Sequence, residues 1–221
     1  MADLMESRRR IMSAQTSMYV PQGYQPVAYL ESSGTQVIET GFVPTFQAND
    51  QMYLRFALLP GTKNPSIIFG CEGQSLGTRN ASAQIVYFAN SSYYSNKNAL
   101  RCDLRGLYYA ASDFFGELNP SSDFNEFTTS GLVARCLNKN ITADSAISGT
   151  TKQLYLFGQK VADKNKATCR ISSMWYKRDG AFLIRLIPCV ADGVAGMYDT
   201  VSNQFLTNAG TGTFTPGPAI F

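Results

Sequence analysis

From residue 21 onward the chain runs as short apolar or aromatic stretches cut by Gly, Pro, Asn, Asp and Ser. Gln51-Met52-Tyr53-Leu54-Arg55-Phe56 alternates with period two, the pattern of a strand with one face buried. Strand candidates of the same kind cover residues 27–30, 36–39, 51–59, 66–69, 83–89, 93–94, 99–104, 107–110, 126–134, 153–159, 168–176 and 182–190. Between them stand Pro60-Gly61, Asn64-Pro65, Glu72-Gly73, Asn119-Pro120, Ser148-Gly149 and Asp179-Gly180, all residue pairs that favour turns. Asp179-Gly180, two residues between two apolar runs, is the best hairpin signal in the chain. No run of ten residues after the first twenty carries helical periodicity, and no internal repeat is present. The pattern predicts an all-β chain, an antiparallel β-sandwich of two sheets over residues 21–221.

Residues 1–20 break the pattern. Leu4, Met5, Arg8, Ile11 and Met12 fall along one helical stripe, flanked by Glu6, Arg9 and Arg10. A lone helix this short is marginal in water and gains order mainly by docking. Two readings stand: a frayed tail, or an anchoring arm or helix. In the second, Leu4, Met5, Ile11 and Met12 pack on a partner subunit while Arg8, Arg9 and Arg10 meet an acidic groove. Tyr19-Val20-Pro21-Gln22-Gly23-Tyr24-Gln25-Pro26 joins the arm to the domain as an extended segment, because its prolines resist both helix and central strand.

Composition narrows the function classes. Over 221 residues the net charge is +3, so the molecule is no polycation built for nucleic acid or an anionic membrane. Charged residues make up 16%, well below the roughly 25% of ordinary soluble domains, while Tyr and Phe number 12 and 14. That balance suits a strand-rich domain packed against neighbours or facing sugars. No run approaches the roughly 20 apolar residues that cross a bilayer. No apolar core follows Arg8–Arg10 as in a secretory signal, which places folding in a cytosol and leaves the sequons at Asn80, Asn90 and Asn140 without consequence. The five cysteines, 71, 102, 136, 169 and 189, form no C-x-x-C pair; buried free thiols are the expectation, with one or two disulfides as the alternative.

The two ends of the chain carry the most specific signal. A Pro-x-Gly-Tyr segment precedes Tyr29-Leu30-Glu31-Ser32-Ser33-Gly34-Thr35-Gln36 and Glu39-Thr40-Gly41. Leu154-Tyr155-Leu156-Phe157-Gly158 and Cys169-Arg170-Ile171-Ser172-Ser173-Met174 come later. The close is Asp192-Gly193-Val194-Ala195-Gly196-Met197-Tyr198-Asp199 with Thr207-Asn208-Ala209-Gly210-Thr211-Gly212-Thr213-Phe214. Over residues 21–217 this resembles the concanavalin A-like (laminin G-like) jelly-roll domains frequent in gut-bacterial phages and prophages, where an Arg-rich leader is also common. The resemblance implies a jelly roll whose first and last strands are neighbours, and a virion or cell-surface setting. The glycines of these blocks serve tight turns, and residues 196–205 read as a folding unit with Tyr198 and Phe205 on paired strands.

The candidate chemistry is sparse. The chain has no histidine, which removes Ser-His-Asp, Cys-His and most zinc-site machinery. No P-loop occurs. Glycoside hydrolysis would need two carboxylates facing one cleft, and the nearest groupings are Asp113 with Glu117 and Asp123 with Glu126, in turn-rich sequence. No cofactor is expected; calcium would have to draw on loop oxygens of Asp103, Asp113, Asp192 and Asp199. Sugar recognition fits better, since aromatic faces with nearby amides hold carbohydrates. Tyr87, Asn90, Tyr93, Tyr94 and Asn96 form one such set, with Phe88 and Asn98, and Trp175 with Tyr176 a second.

The reading that follows is a non-enzymatic phage virion structural protein, a head fibre, capsid decoration or tail-associated module. It would be made in the bacterial host cytoplasm, anchored to other capsid or tail subunits by its arm, and displayed as a homo-oligomer such as a trimer. A glycan-binding adhesion module for a host surface or mucus is the alternative, and a glycoside hydrolase stands behind both.

Overall fold

The structure is a computed structural model that describes residues 20–45, 47–71, 84–103, 114–131, 133–142, 153–159 and 165–220, without the side chains of Tyr93 and Asp103. Residues 1–19 of the 1–20 arm lie outside the described residues, and so do the strand candidate at 107–110 and Asp113.

Among the described residues seventeen strands follow one another: β1 (Gln25–Pro26), β2 (Leu30–Ser33), β3 (Ile38–Glu39), β4 (Asp50–Leu58), β5 (Ser66–Cys71), β6 (Gln84–Ser91), β7 (Lys97–Asp103), β8 (Phe114–Glu117) and β9 (Asn125–Ser130). Then come β10 (Val133–Cys136), β11 (Lys139–Thr142), β12 (Leu154–Leu156), β13 (Thr168–Arg178), β14 (Ala181–Ala191), β15 (Val194–Asp199), β16 (Gln204–Leu206) and β17 (Thr215–Pro216). The described residues contain no α-helix, only a single 3-10 turn at Ser92–Tyr94. The strands form two antiparallel sheets: a large one in the order β11-β10-β9-β4-β13-β14-β15-β16, joined by β1, β2 and β17, and a six-stranded one in the order β3-β12-β5-β6-β7-β8.

The sheets stack because each hides one apolar face. Leu54 and Phe56 on β4, Phe127 on β9, and Ile171, Met174 and Tyr176 on β13 share one buried cluster with Phe69, Ile85, Leu100 and Leu156 of the smaller sheet. Phe127 binds the layers together, its ring 5.4 Å from Phe69 and 6.0 Å from Phe115. Burying each such ring stabilises by about 1.5–3 kcal/mol. A bulge near Ser172 rephases β13 against β4, so that Cys169 and Ile171 before it and Met174 and Tyr176 after it all face inward. Trp175 and Lys177 are thereby left on the outer face.

The ends of the chain are neighbours. Thr215 and Pro216 of β17 pair with Glu31 and Leu30 of β2, and Val27 bridges Ala219. The Asp179-Gly180 hairpin is also present, with positive φ at both residues (50° and 80°) closing β13 on β14. Asp192-Gly193 and Leu137-Asn138 make turns of the same handedness.

Some strand boundaries differ from the sequence expectation. Tyr93-Tyr94 belongs to the 3-10 turn, which Ser95 and Asn96 end in left-handed conformations (φ 52° and 56°). Residues 126–134 split into β9 and β10 at Gly131, where φ is +56° and an added Cβ would meet the Ala48 carbonyl oxygen at 2.7 Å. Strands β8 and β11 are four residues each, and neither the adjacent Phe114-Phe115 of β8 nor the polar β11 shows an alternation to register.

Candidate functional site

The outer face of the large sheet carries a stripe of aromatic and cationic side chains. Tyr53 on β4 stands directly opposite Trp175 on β13, and Trp175 directly opposite Arg185 on β14. The Tyr53 and Trp175 rings are 5.6 Å apart and within 12° of parallel, while Phe182 meets Trp175 edge-on at 6.0 Å. The Lys177 ammonium sits 5.0 Å from the Trp175 ring centre and 4.2 Å from that of Phe182, and the Arg185 guanidinium 5.1 Å from Phe182. Further along, Arg55 covers Phe124 at 4.4 Å and Arg170 covers Tyr29 at 4.5 Å. These are cross-strand pairs and cation–π contacts, each worth about 0.5–1 kcal/mol at a partly exposed site.

Most acids near the stripe are engaged. Tyr53 donates its hydroxyl to Glu126 at 2.9 Å; burial first and this bond second push its pKa up to about 12. Glu31 pairs with Arg170 at 2.7 Å. Asp50, 1% exposed, accepts from Arg178 Nε, the Tyr176 hydroxyl, the Gln47 N–H and the Thr45 hydroxyl. Burial works to raise its pKa, but these four donors, Arg178 foremost, overcome that and hold it at about 2.

The sequence-derived sugar set divides. Tyr87 is 2% exposed and belongs to the buried cluster between the sheets, and a ring that fills the core offers no face to a sugar. Asn90 and Asn96 are exposed at positive φ (48° and 56°), and the Asn90 N–H donates to Asn98. Tyr94 stacks on Phe114 at 5.3 Å, and the Tyr93 side chain lies outside the described residues. This group sits on the smaller sheet, away from Trp175 on the large one. Tyr176, expected beside Trp175, points the opposite way into the core. Tyr53, Arg55, Phe182 and Lys177 were not singled out from sequence: alternation within 173–177 puts Lys177 on the face of Trp175, but Tyr53, Arg55 and Phe182 join it only through the pairing of β4 and β14 with β13.

The acidic candidates hold structural positions. Asp199 accepts from the N–H groups of Arg185, Val201 and Ser202 and from the Ser202 hydroxyl, which fixes the β15–β16 turn. Oxygens so filled with donors suit a turn better than a cation. Asp192 is exposed at the tip of the β14–β15 turn, and among the described residues no three His, Cys, Asp or Glu side chains converge. Glu117 is held below the usual carboxylate range by hydrogen bonds from Lys97 and then Asn119, the opposite of what a general acid needs. Glu126 serves Tyr53, and Asp123 accepts from Ser121. All five cysteines are free and buried; burial pushes the Cys136 and Cys189 thiols up to about 12.

The conspicuous terminal blocks hold the fold closed. Gln36, 2% exposed, accepts from the Ser32 hydroxyl and Ser33 N–H and donates to the Thr213 carbonyl. Asn208 accepts from the N–H groups of Val37 and Gly210. Tyr198 and Phe205 are direct partners on β15 and β16. Just after the arm, Val20 and Tyr24 pack on a small separate cluster of Ile187, Cys189, Tyr198 and Phe205. No family model matches the chain, and a search of curated proteins found no match either.

Proposed function

We propose that this chain is a non-enzymatic structural protein of a phage virion, a head fibre, decoration or tail-associated module. Its arm, residues 1–20 with Leu4, Met5, Arg8, Arg9, Arg10, Ile11 and Met12, grips a capsid or tail subunit, and the sandwich is displayed as a homo-oligomer such as a trimer. The sequence resemblance supports the setting. The structural observation that supports the arrangement is the closure of the sandwich by its own ends: β17 pairs with β2 and β1 with β14, so the chain is part of the large sheet from residue 25 onward. Tyr24 is clamped between Tyr198 and Phe205, ring centres 4.8 and 5.3 Å away, outside the main core. An appended segment leaving from there is suited to serve a partner.

The test is a chain without residues 1–19, which keeps Val20 in its cluster. It should melt like the full chain yet disappear from assembled particles. Incorporation at the full-length level would overturn the anchoring role. Adhesion to a host or mucus glycan is the second reading, favoured by the outer-face pairing of Trp175 with Tyr53.

A further inference from the structure

We propose that the outer face of the large sheet binds an acidic polysaccharide, one carrying carboxylate or sulfate groups, across Tyr53 and Trp175 with Arg55 and Lys177 holding its charges. The proposal deepens the adhesion reading and rests on it; it is independent of the anchoring arm.

The geometry points to a chain-like ligand. Tyr53 and Trp175 stack on one another at the middle of the strip, so the aromatic face left for the apolar C–H side of a sugar ring is the indole face that Lys177 now covers. Along the strands Arg55 lies to one side of this pair and Lys177 to the other. Arg55 is opposite Ser173, so the two cations are four residues apart in register, about 13 Å at strand rise. A single small anion would not reach both, whereas an extended polymer would.

Charge selects the acidic class. Among the described residues neither Arg55 nor Lys177 has a carboxylate within ion-pair distance. Arg55 reaches the Ser172 hydroxyl at 3.5 Å and the Phe124 face, and Lys177 the faces of Trp175 and Phe182. The nearby acids have partners: Glu126, a carboxylate directly opposite Arg55 on β9, accepts from the Tyr53 hydroxyl, while Asp50 pairs with Arg178 and Glu31 with Arg170. Lys177, on a flexible four-carbon stem, can leave the indole face for a sugar carboxylate as the sugar takes its place on the ring. The leader's Arg8, Arg9 and Arg10 carry the same sign as this face, which makes them poor occupants of it.

Trp175 is the chain's single tryptophan, so selectively excited tryptophan fluorescence reads this face. Titrating the full chain with oligogalacturonate, and separately with a heparin oligosaccharide, should change the emission saturably with at least one of them, and added salt should weaken the response. Neutral maltooligosaccharides should leave it unchanged. Lys177→Gln and Arg55→Gln should each weaken binding about ten-fold, the loss of one charge-assisted contact, at an unchanged melting temperature. Silence with both acidic oligomers would overturn the proposal. So would equal binding of neutral sugars, equal binding by Lys177→Gln, or equally tight binding of a thymidine oligonucleotide of matched charge, which would mark a generic polyanion surface.

Discussion

A Cβ added to Gly210 would lie 2.3 Å from the backbone carbonyl oxygen of Thr35, although the two residues belong to opposite ends of the chain. That oxygen already accepts from the Thr211 N–H, and the Gly210 N–H donates to Asn208, so neither strand end can withdraw cheaply. Gly210→Ala should therefore destabilise the domain by about 1–3 kcal/mol, the usual range for overpacking a closed site. The measurement is the urea midpoint. A midpoint equal to wild type would mean that the two terminal blocks are not clasped.

Asp50 links the loop before β4 to the end of β13, and its depressed pKa has a defined pH consequence. The folded carboxyl titrates near 2 against an ordinary value of 3.8, so the ionised form is favoured by folding. Stability from this group is fully present above about pH 4 and is lost as pH falls from there through 2. The span corresponds to roughly 2 kcal/mol. Asp50→Asn should lose about that much at neutral pH, because Arg178 and Tyr176 keep donors aimed at a neutral amide. It should also remove part of the acid sensitivity. Parallel stability–pH curves for the two proteins between pH 2 and 5 would contradict the assignment.

Local chemistry was readable where a residue's own backbone preference decides the outcome. Asp179-Gly180 announces a turn because both positions take positive φ, and the alternation of 51–56 announces a strand because one face is buried. The pairing of β2 with β17 was reached from the resemblance of the terminal blocks, not from periodicity. Tyr93-Tyr94 looked like a strand on aromatic content, yet the left-handed Ser95 and Asn96 that follow leave only a 3-10 turn. Gly131, after Thr128-Thr129-Ser130, carries no mark in the sequence of the break it makes, which close backbone approach to Ala48 requires. The outer-face stripe was half visible. Trp175 stood out by type, but Tyr53 is its neighbour only through the register of β4 against β13, more than a hundred residues away in sequence. Asp50 was not visible at all as a hub, since its Tyr176 and Arg178 partners lie 126 and 128 residues on. An aromatic in a strand such as Tyr87 serves a core or a surface equally well, and only the face of β6 turned toward the other sheet decides which.

The cluster around Tyr24 supplies the last expectation. Its ring touches Tyr198 and Phe205, yet the group shares no residue with the large buried cluster between the sheets. Tyr24→Ala should thus remove two ring contacts and part of a half-exposed surface, about 1–2 kcal/mol, and lower the melting temperature by roughly 2–8 °C. Phe127→Ala, which empties the space between the sheets, should cost about 3–5 kcal/mol. Measured side by side in urea, the two variants should differ clearly in midpoint at similar slope. If Tyr24→Ala proved as damaging as Phe127→Ala, the segment after the arm would be an integral part of the core. An arm that leaves the sandwich self-sufficient would then have no structural support.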